Sequence, residues 1–150
     1  MRKQIAAANW KMNLTYQQAE QLVTELLTLP PVLKQQQQVV IGVPFPYLSL
    51  VAQKAKGHNG YGVAGQNCSQ YKAGAYTGET SAEMLASIGV EYVILGHSER
   101  REYFNEGNQL LADKINIALS YGLTPIFCCG ESLSIREAET QNSFVEVQLR

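Results

Sequence analysis

Tyr92-Val93-Ile94-Leu95-Gly96-His97-Ser98-Glu99-Arg100-Arg101 is the stretch on which the reading of this chain turns. Its apolar residues lack period-2 alternation, which suits a strand covered on both faces, and directly after them come an imidazole, a hydroxyl and a carboxylate together. Polar groups delivered at the end of such a strand are where an α/β enzyme keeps its chemistry. Near the amino terminus Ile5-Ala6-Ala7-Ala8-Asn9-Trp10-Lys11-Met12-Asn13 repeats the plan, a small-residue strand running into an amide and an ammonium.

Outward from these two segments the same pattern recurs. Runs at Ile5–Ala8, Val39–Val43, Tyr61–Ala64, Tyr92–Leu95 and Thr124–Cys128 are β-branched, small or aromatic, and read as strands of a parallel sheet buried on both faces. Between them Thr15–Leu29, Tyr47–Lys56, Ser81–Ile88, Asn108–Tyr121 and Leu133–Leu149 read as helices, so the order is β-α repeated, with right-handed crossovers expected. In the first helix Ala19, Leu22, Val23, Leu26 and Leu27 recur at helical spacing, Thr15 is placed as N-cap and Pro30-Pro31 as the stop. In the fourth, Leu110, Leu111, Lys114, Ile115, Ala118 and Leu119 mark one face, and Gly122 is placed to end it in a left-handed conformation. Gln35–Gln38 reads as a solvated connection without function, and His58–Gly62 as a turn. The long crossing Gln66–Thr80 is too polar and glycine-rich for a core element.

With 150 residues, 45% of them hydrophobic and 17% charged, and a net charge of −1, the composition is that of a single globular domain spanning 1–150. No global field favours nucleic acid or an anionic membrane, and any anion must be caught locally. No secretion signal or bilayer-spanning run is read in the sequence, so the cytoplasm is expected. Three cysteines, Cys68 and the pair Cys128-Cys129, form neither a disulfide framework nor a metal-ligand spacing, and read as core or near-core thiols. No Walker or dinucleotide fingerprint and no nucleophile elbow occurs, so no cofactor and no metal is expected.

Asn9-Trp10-Lys11-Met12-Asn13, Ala64-Gly65-Gln66-Asn67, Gly74-Ala75-Tyr76-Thr77-Gly78-Glu79 and Gly96-His97-Ser98-Glu99-Arg100-Arg101 stand in an order that closely resembles the triosephosphate isomerases. Pro125-Ile126-Phe127-Cys128-Cys129-Gly130-Glu131 continues the likeness, with Cys129 where the family more often has an aliphatic residue. The resemblance implies a TIM (β/α)8 barrel, incomplete here, of about five parallel βα units, since a closed barrel takes roughly 250 residues. It implies an isomerase of glycolysis and gluconeogenesis that interconverts D-glyceraldehyde 3-phosphate and dihydroxyacetone phosphate through an enediolate, acts on a small phosphorylated triose, and works as a homodimer.

Position alone puts Asn9, Lys11, His97, Glu99 and Glu131 at the carboxyl ends of the strands, with Cys128 just beneath. Lys11 is a compact cation suited to an anionic substrate, although most lysines are only surface residues; the resemblance lays the family's catalytic lysine on Lys11 and its substrate-binding asparagine on Asn9. His97 could serve as acid/base, as electrophile or as a residue closing the strand, and a helix beginning at Ser98 would favour a neutral ring. Glu99 reads as the partner that positions Lys11 rather than as the proton-abstracting base, and Arg100 and Arg101 as structural ion-pair residues. By the resemblance, Thr77 on the long loop reaches a second subunit's active site. The family's base, lid and phosphate grip belong to later strands than those present, so this chain alone is expected to turn over little or nothing. A rival reading is a non-catalytic half-barrel assembly module with open sheet edges; another is a complete doubly wound domain, which would require a switch point in its strand order.

Overall fold

The computed structural model describes residues 2–28 and 33–150. Five strands, β1 (Gln4–Asn9), β2 (Gln37–Val43), β3 (Tyr61–Gly65), β4 (Tyr92–Leu95) and β5 (Thr124–Phe127), pair in parallel in the order β1-β2-β3-β4-β5. That order has no reversal, so the doubly wound alternative falls, and the topology is that of a (β/α)8 barrel through its fifth strand.

The helices are α1 (Tyr16–Thr28), α2 (Leu48–Ala55) after a short 3₁₀ turn at Phe45–Tyr47, α3 (Ala82–Ser87), α4 (Ser98–Tyr103), α5 (Asn108–Ser120), α6 (Leu133–Glu137) and α7 (Gln141–Leu149). Thr15 opens α1 with Gln18 in a reciprocal capping arrangement: Thr15 N donates to Gln18 Oε1 at 2.8 Å and Gln18 N to Thr15 Oγ1 at 3.5 Å. Ala19, Val23 and Leu27 form its buried line at i, i+4, i+8; burying a side chain such as Val23 contributes about 1.5–3 kcal/mol. The expected stop at Pro30-Pro31 lies outside the described residues. Gly122, at φ +74°, ends α5, with Leu123 N donating back to Ala118 O at 3.0 Å.

Alternation through the sheet separates two apolar layers. Ile41, Val43, Val63, Val93 and Leu95 face Val23, Leu48, Val51, Leu85 and Ala118 in the helix-covered layer, whereas Val40, Ala64, Tyr92 and Ile94 meet Ile126 and Cys128 on the opposite face. On that second face small residues lie opposite large ones: a Cβ on Gly42 would stand 2.8 Å from Ile94 Cδ1, and one on Gly62 would stand 2.9 Å from the Tyr92 ring. Ile94 reaches Gly42 across the intervening β3, whereas in a flat sheet strands two apart lie about 9.5 Å from each other. The sheet is therefore curled, with this face concave.

Four expectations need correction. β1 is not buried on both faces; all of its positions are exposed, because it pairs only with β2 and no further strand covers it. β5, at the other edge, is at most half-buried. The segment Leu133–Leu149 is two helices, parted where Glu139 takes φ +54°. Gln37 and Gln38 are not a solvated connection but the start of β2, where Gln38 Oε1 accepts the hydroxyl of the buried Tyr92 at 2.6 Å, satisfying a phenol that the concave face would otherwise leave unpaired.

Candidate active site at the carboxyl ends of the strands

At the end of β4 the chain turns through Gly96 at φ +76°, where a Cβ would stand 2.8 Å from the backbone oxygen of Cys128. Only glycine fits a left-handed turn this close to a neighbouring strand. The turn delivers His97 as N-cap of α4, with Nδ1 accepting the Glu99 N–H at 3.3 Å. In the neutral ring that bond occupies the Nδ1 lone pair and leaves the proton on Nε2; protonation at Nδ1 would exchange it for an ion pair with Glu99 Oε2 at 3.5 Å. Arg101 fixes the turn from below, donating to Gly96 O at 2.8 Å, Cys128 O at 3.2 Å and Asn108 Oδ1 at 2.9 Å. It therefore binds carbonyls rather than the ion-pair partner expected, while Arg100 does pair with Glu106 at 2.8 Å.

Lys11 follows β1 on the same side. Its Nζ donates to Glu99 Oε1 at 2.7 Å across a sequence separation of 88, so one carboxylate joins ammonium and imidazole. The hydrogen bond from Lys11, and then its charge and that of His97, hold the Glu99 carboxyl below its ordinary value of 4.5. Both partners are substantially exposed, so the pair orients groups more than it stabilises the fold. Lys11 has φ +53°, a left-handed backbone that costs a non-glycine residue about 1–3 kcal/mol. Asn9 Oδ1 accepts the Lys11 N–H at 3.0 Å, and the Gln66 amide spans Asn9 Oδ1 at 3.1 Å, Lys11 O at 3.0 Å and Gly42 O at 3.2 Å.

Beyond His97 opens a cleft of about 690 Å³, bordered by Gly96, Arg101, Cys128, Glu131 and Gln148. Glu131 borders this cleft together with His97 while paired with Arg136. Cys128 is half-buried and Cys68 buried as expected, but Cys129 is exposed, because the β5 edge has no neighbour over it. A larger cleft, about 800 Å³, lies among Lys56–Tyr61 and Ser87–Gly89 at the amino ends of β3 and β4, away from the convergent polar groups. Thr77 sits exposed on the Gln66–Thr80 loop, distant in sequence from the other site residues. That loop is closed at its base by Ser69 N donating to Thr80 O at 2.8 Å, and Tyr71 stacks on Tyr76 within it at 3.8 Å.

Beneath the mouth lies a buried network. Lys114 Nζ donates to Glu106 Oε1 at 2.6 Å and to Asn67 Oδ1 at 2.9 Å, and Arg100 joins the same carboxylate oxygen. It ties α5, α4 and the start of the long loop together. Sequence reasoning had Gln66 and Asn67 only as members of a family-like motif and gave neither them nor Lys114 a supporting role in the site; for Lys114 the available signal was a lysine inside the apolar stripe of α5. Among the described residues no group of three or more His, Cys, Asp or Glu side chains could hold a metal ion, and no helix is long and apolar enough to cross a membrane.

The family model described as triosephosphate isomerase matches residues 4–150. The chain is 48% identical over 149 residues to a triosephosphate isomerase of Cytophaga hutchinsonii, covering 99% of this chain and 59% of that protein. Over 149 residues it is 49% identical to the triosephosphate isomerase of Bacteroides fragilis and 47% identical to that of Acetivibrio thermocellus, covering 59% and 58% of those proteins. The chain thus spans about three fifths of the length of these curated relatives.

Proposed function

We propose, since the chain belongs to the triosephosphate isomerase family, that it carries the electrophilic half of an active site interconverting D-glyceraldehyde 3-phosphate and dihydroxyacetone phosphate through an enediolate. The observation that carries this reading is the Glu99 carboxylate joining Lys11 and His97 at one strand-end mouth. An ammonium has three donors, and Glu99 takes one, so Lys11 keeps others for the substrate's anionic groups and for the oxygen on which charge develops. His97, with Nδ1 occupied by the Glu99 N–H, offers Nε2–H to the substrate's carbonyl oxygen. Asn9, whose Oδ1 already accepts two donors, keeps its NH₂ for a substrate oxygen. Proton abstraction beside the carbonyl also needs a positioned base, which the resemblance places on a later strand. A base contributes about 10²–10⁴-fold to rate, so the 150-residue chain alone should turn over little.

The same reading makes the whole enzyme a cytoplasmic homodimer of glycolysis and gluconeogenesis, built on a single domain here, with Thr77 presented to a second subunit. The exposure of Thr77 and the ordered base of its loop support that assignment. The rival, a half-barrel assembly module, draws on the β1 edge, exposed along its length. Titration with a phosphorylated enediolate mimic at several protein concentrations separates the two. Saturable binding that shifts Lys11 and His97 resonances supports the enzyme reading; concentration-dependent assembly with no such binding supports the scaffold.

A further inference from the structure

We propose that Gln66 is the positioning residue for Lys11, its side-chain amide clamping the left-handed turn from which the ammonium reaches Glu99. The inference rests on the reading of Lys11 as a substrate-holding group. Its basis is the geometry of the β1 exit. Lys11 leaves β1 at φ +53°, a backbone state that an L side chain occupies only when its surroundings hold it there. The Asn9 side chain accepts the Lys11 N–H at 3.0 Å, which fixes one side of the turn. The Lys11 carbonyl, on the other side, is held by Gln66 Nε2 at 3.0 Å. The same nitrogen lies 3.1 Å from Asn9 Oδ1 and 3.2 Å from Gly42 O, so two amide hydrogens are shared among three acceptors.

Those acceptors belong to the ends of β1 and β2, while Gln66 itself directly follows β3. The amide is therefore a cross-strand tie: it sets the Lys11 backbone relative to two neighbouring strands of the curled sheet. A merely space-filling residue would need no donors here, whereas this amide meets three oxygens, two of which, Asn9 Oδ1 and Gly42 O, already accept a backbone N–H. The length of the side chain matters as much as its donors, because asparagine would fall one methylene short of all three oxygens. Without the tie, the turn can relax to ordinary φ, and the ammonium then swings away from the Glu99 carboxylate that it meets at 2.7 Å.

The test is carbon-detected NMR titration of Glu99 in the 150-residue chain, compared among the parent, Gln66→Leu and Lys11→Met. Gln66→Leu removes the donors at similar size. Positioning by Gln66 predicts that Gln66→Leu raises the Glu99 midpoint by an amount comparable with Lys11→Met, and that the Lys11 Cα shift leaves its left-handed range. A role confined to closing the sheet would lower thermal stability in Gln66→Leu and leave the Glu99 titration superimposed on the parent's, which would overturn the proposal. Absence of any shift even in Lys11→Met would mean that the ion pair does not form in solution and would overturn it too. Should Gln66→Leu not fold, Gln66→Asn replaces it with the same criteria. Failure of the underlying reading shows up elsewhere: an isomerase assembled from this chain and a carboxyl-terminal part, in which Lys11→Met keeps full activity, would remove the substrate-holding role while leaving the clamp standing.

Discussion

Lys114 stands on the buried face of α5, where the pattern of Leu111 and Ala118 would accept an aliphatic residue, and it is held by Glu106 and Asn67. Lys114→Met leaves Asn67 Oδ1 without its donor and Glu106 with Arg100 as its one remaining cation. It should therefore destabilise the chain in urea unfolding by less than a wholly stranded buried charge would, about 3–5 kcal/mol, and adding Arg100→Met should bring the loss into that range. The thiols divide by environment. Burial pushes Cys68 up to about 11 and raises Cys128, whereas Cys129 is exposed. An aromatic disulfide reagent at neutral pH should therefore find one fast thiol, abolished by Cys129→Ser, with Cys68 reacting only on unfolding. Glu99, held below 4.5 by the Lys11 hydrogen bond, contributes stability above its unfolded value and loses it as pH falls through the lower folded value. The difference in melting midpoint between the parent and Glu99→Gln should thus be constant above 4.5 and shrink below it. Residue types at the strand ends were legible in the sequence because position alone exposes them; Gln66 was not, since its partners Asn9, Lys11 and Gly42 are brought to it only by the sheet.

Among the elements, β2 to β4 were readable from apolar runs, because a strand covered on both sides has little freedom in composition. The fate of β1 was not readable: Ile5–Ala8 has the same small apolar character, and its exposure depends on having no second neighbour. α4 is only 6 residues long, shorter than a helical periodicity can register, so its alignment of Glu99 and Arg100 came from the fold. The Gln66–Thr80 loop offers an element-scale prediction. Its Tyr71 and Tyr76 rings stack at 3.8 Å and 3°, and a Cβ on Gly74 would stand 3.2 Å from the Tyr76 ring. Tyr71→Ala should leave the base at Ser69–Thr80 intact while loosening the tip that carries Thr77, read as lower heteronuclear NOE values at Gly74–Gly78.

For the molecule as a whole, the accessible surface is 9635 Å², against about 7600 Å² for a folded monomer of 16.6 kDa. The excess includes β1 and apolar side chains on the final helices, such as Leu133, Val147 and Leu149. Such a surface calls for further structure against it, and the relatives, of which this chain spans about three fifths, carry further sequence of their own. The α/β class and parallel pairing were legible from alternation of strand and helix patterns; the strand order was implied only by the family resemblance, and the curvature was not legible, since it rests on Ile94 reaching Gly42 across a strand. The joining of Lys11 and His97 through Glu99 carries the proposed isomerase role. Its most direct test is a coupled assay of triose phosphate isomerisation by the chain alone, the chain mixed with a separately produced carboxyl-terminal part of a relative, and the same mixture carrying Lys11→Met. Turnover is expected only in the unmodified mixture; brisk activity of the isolated chain, or a Lys11→Met mixture as active as the parent mixture, would rule out a shared site.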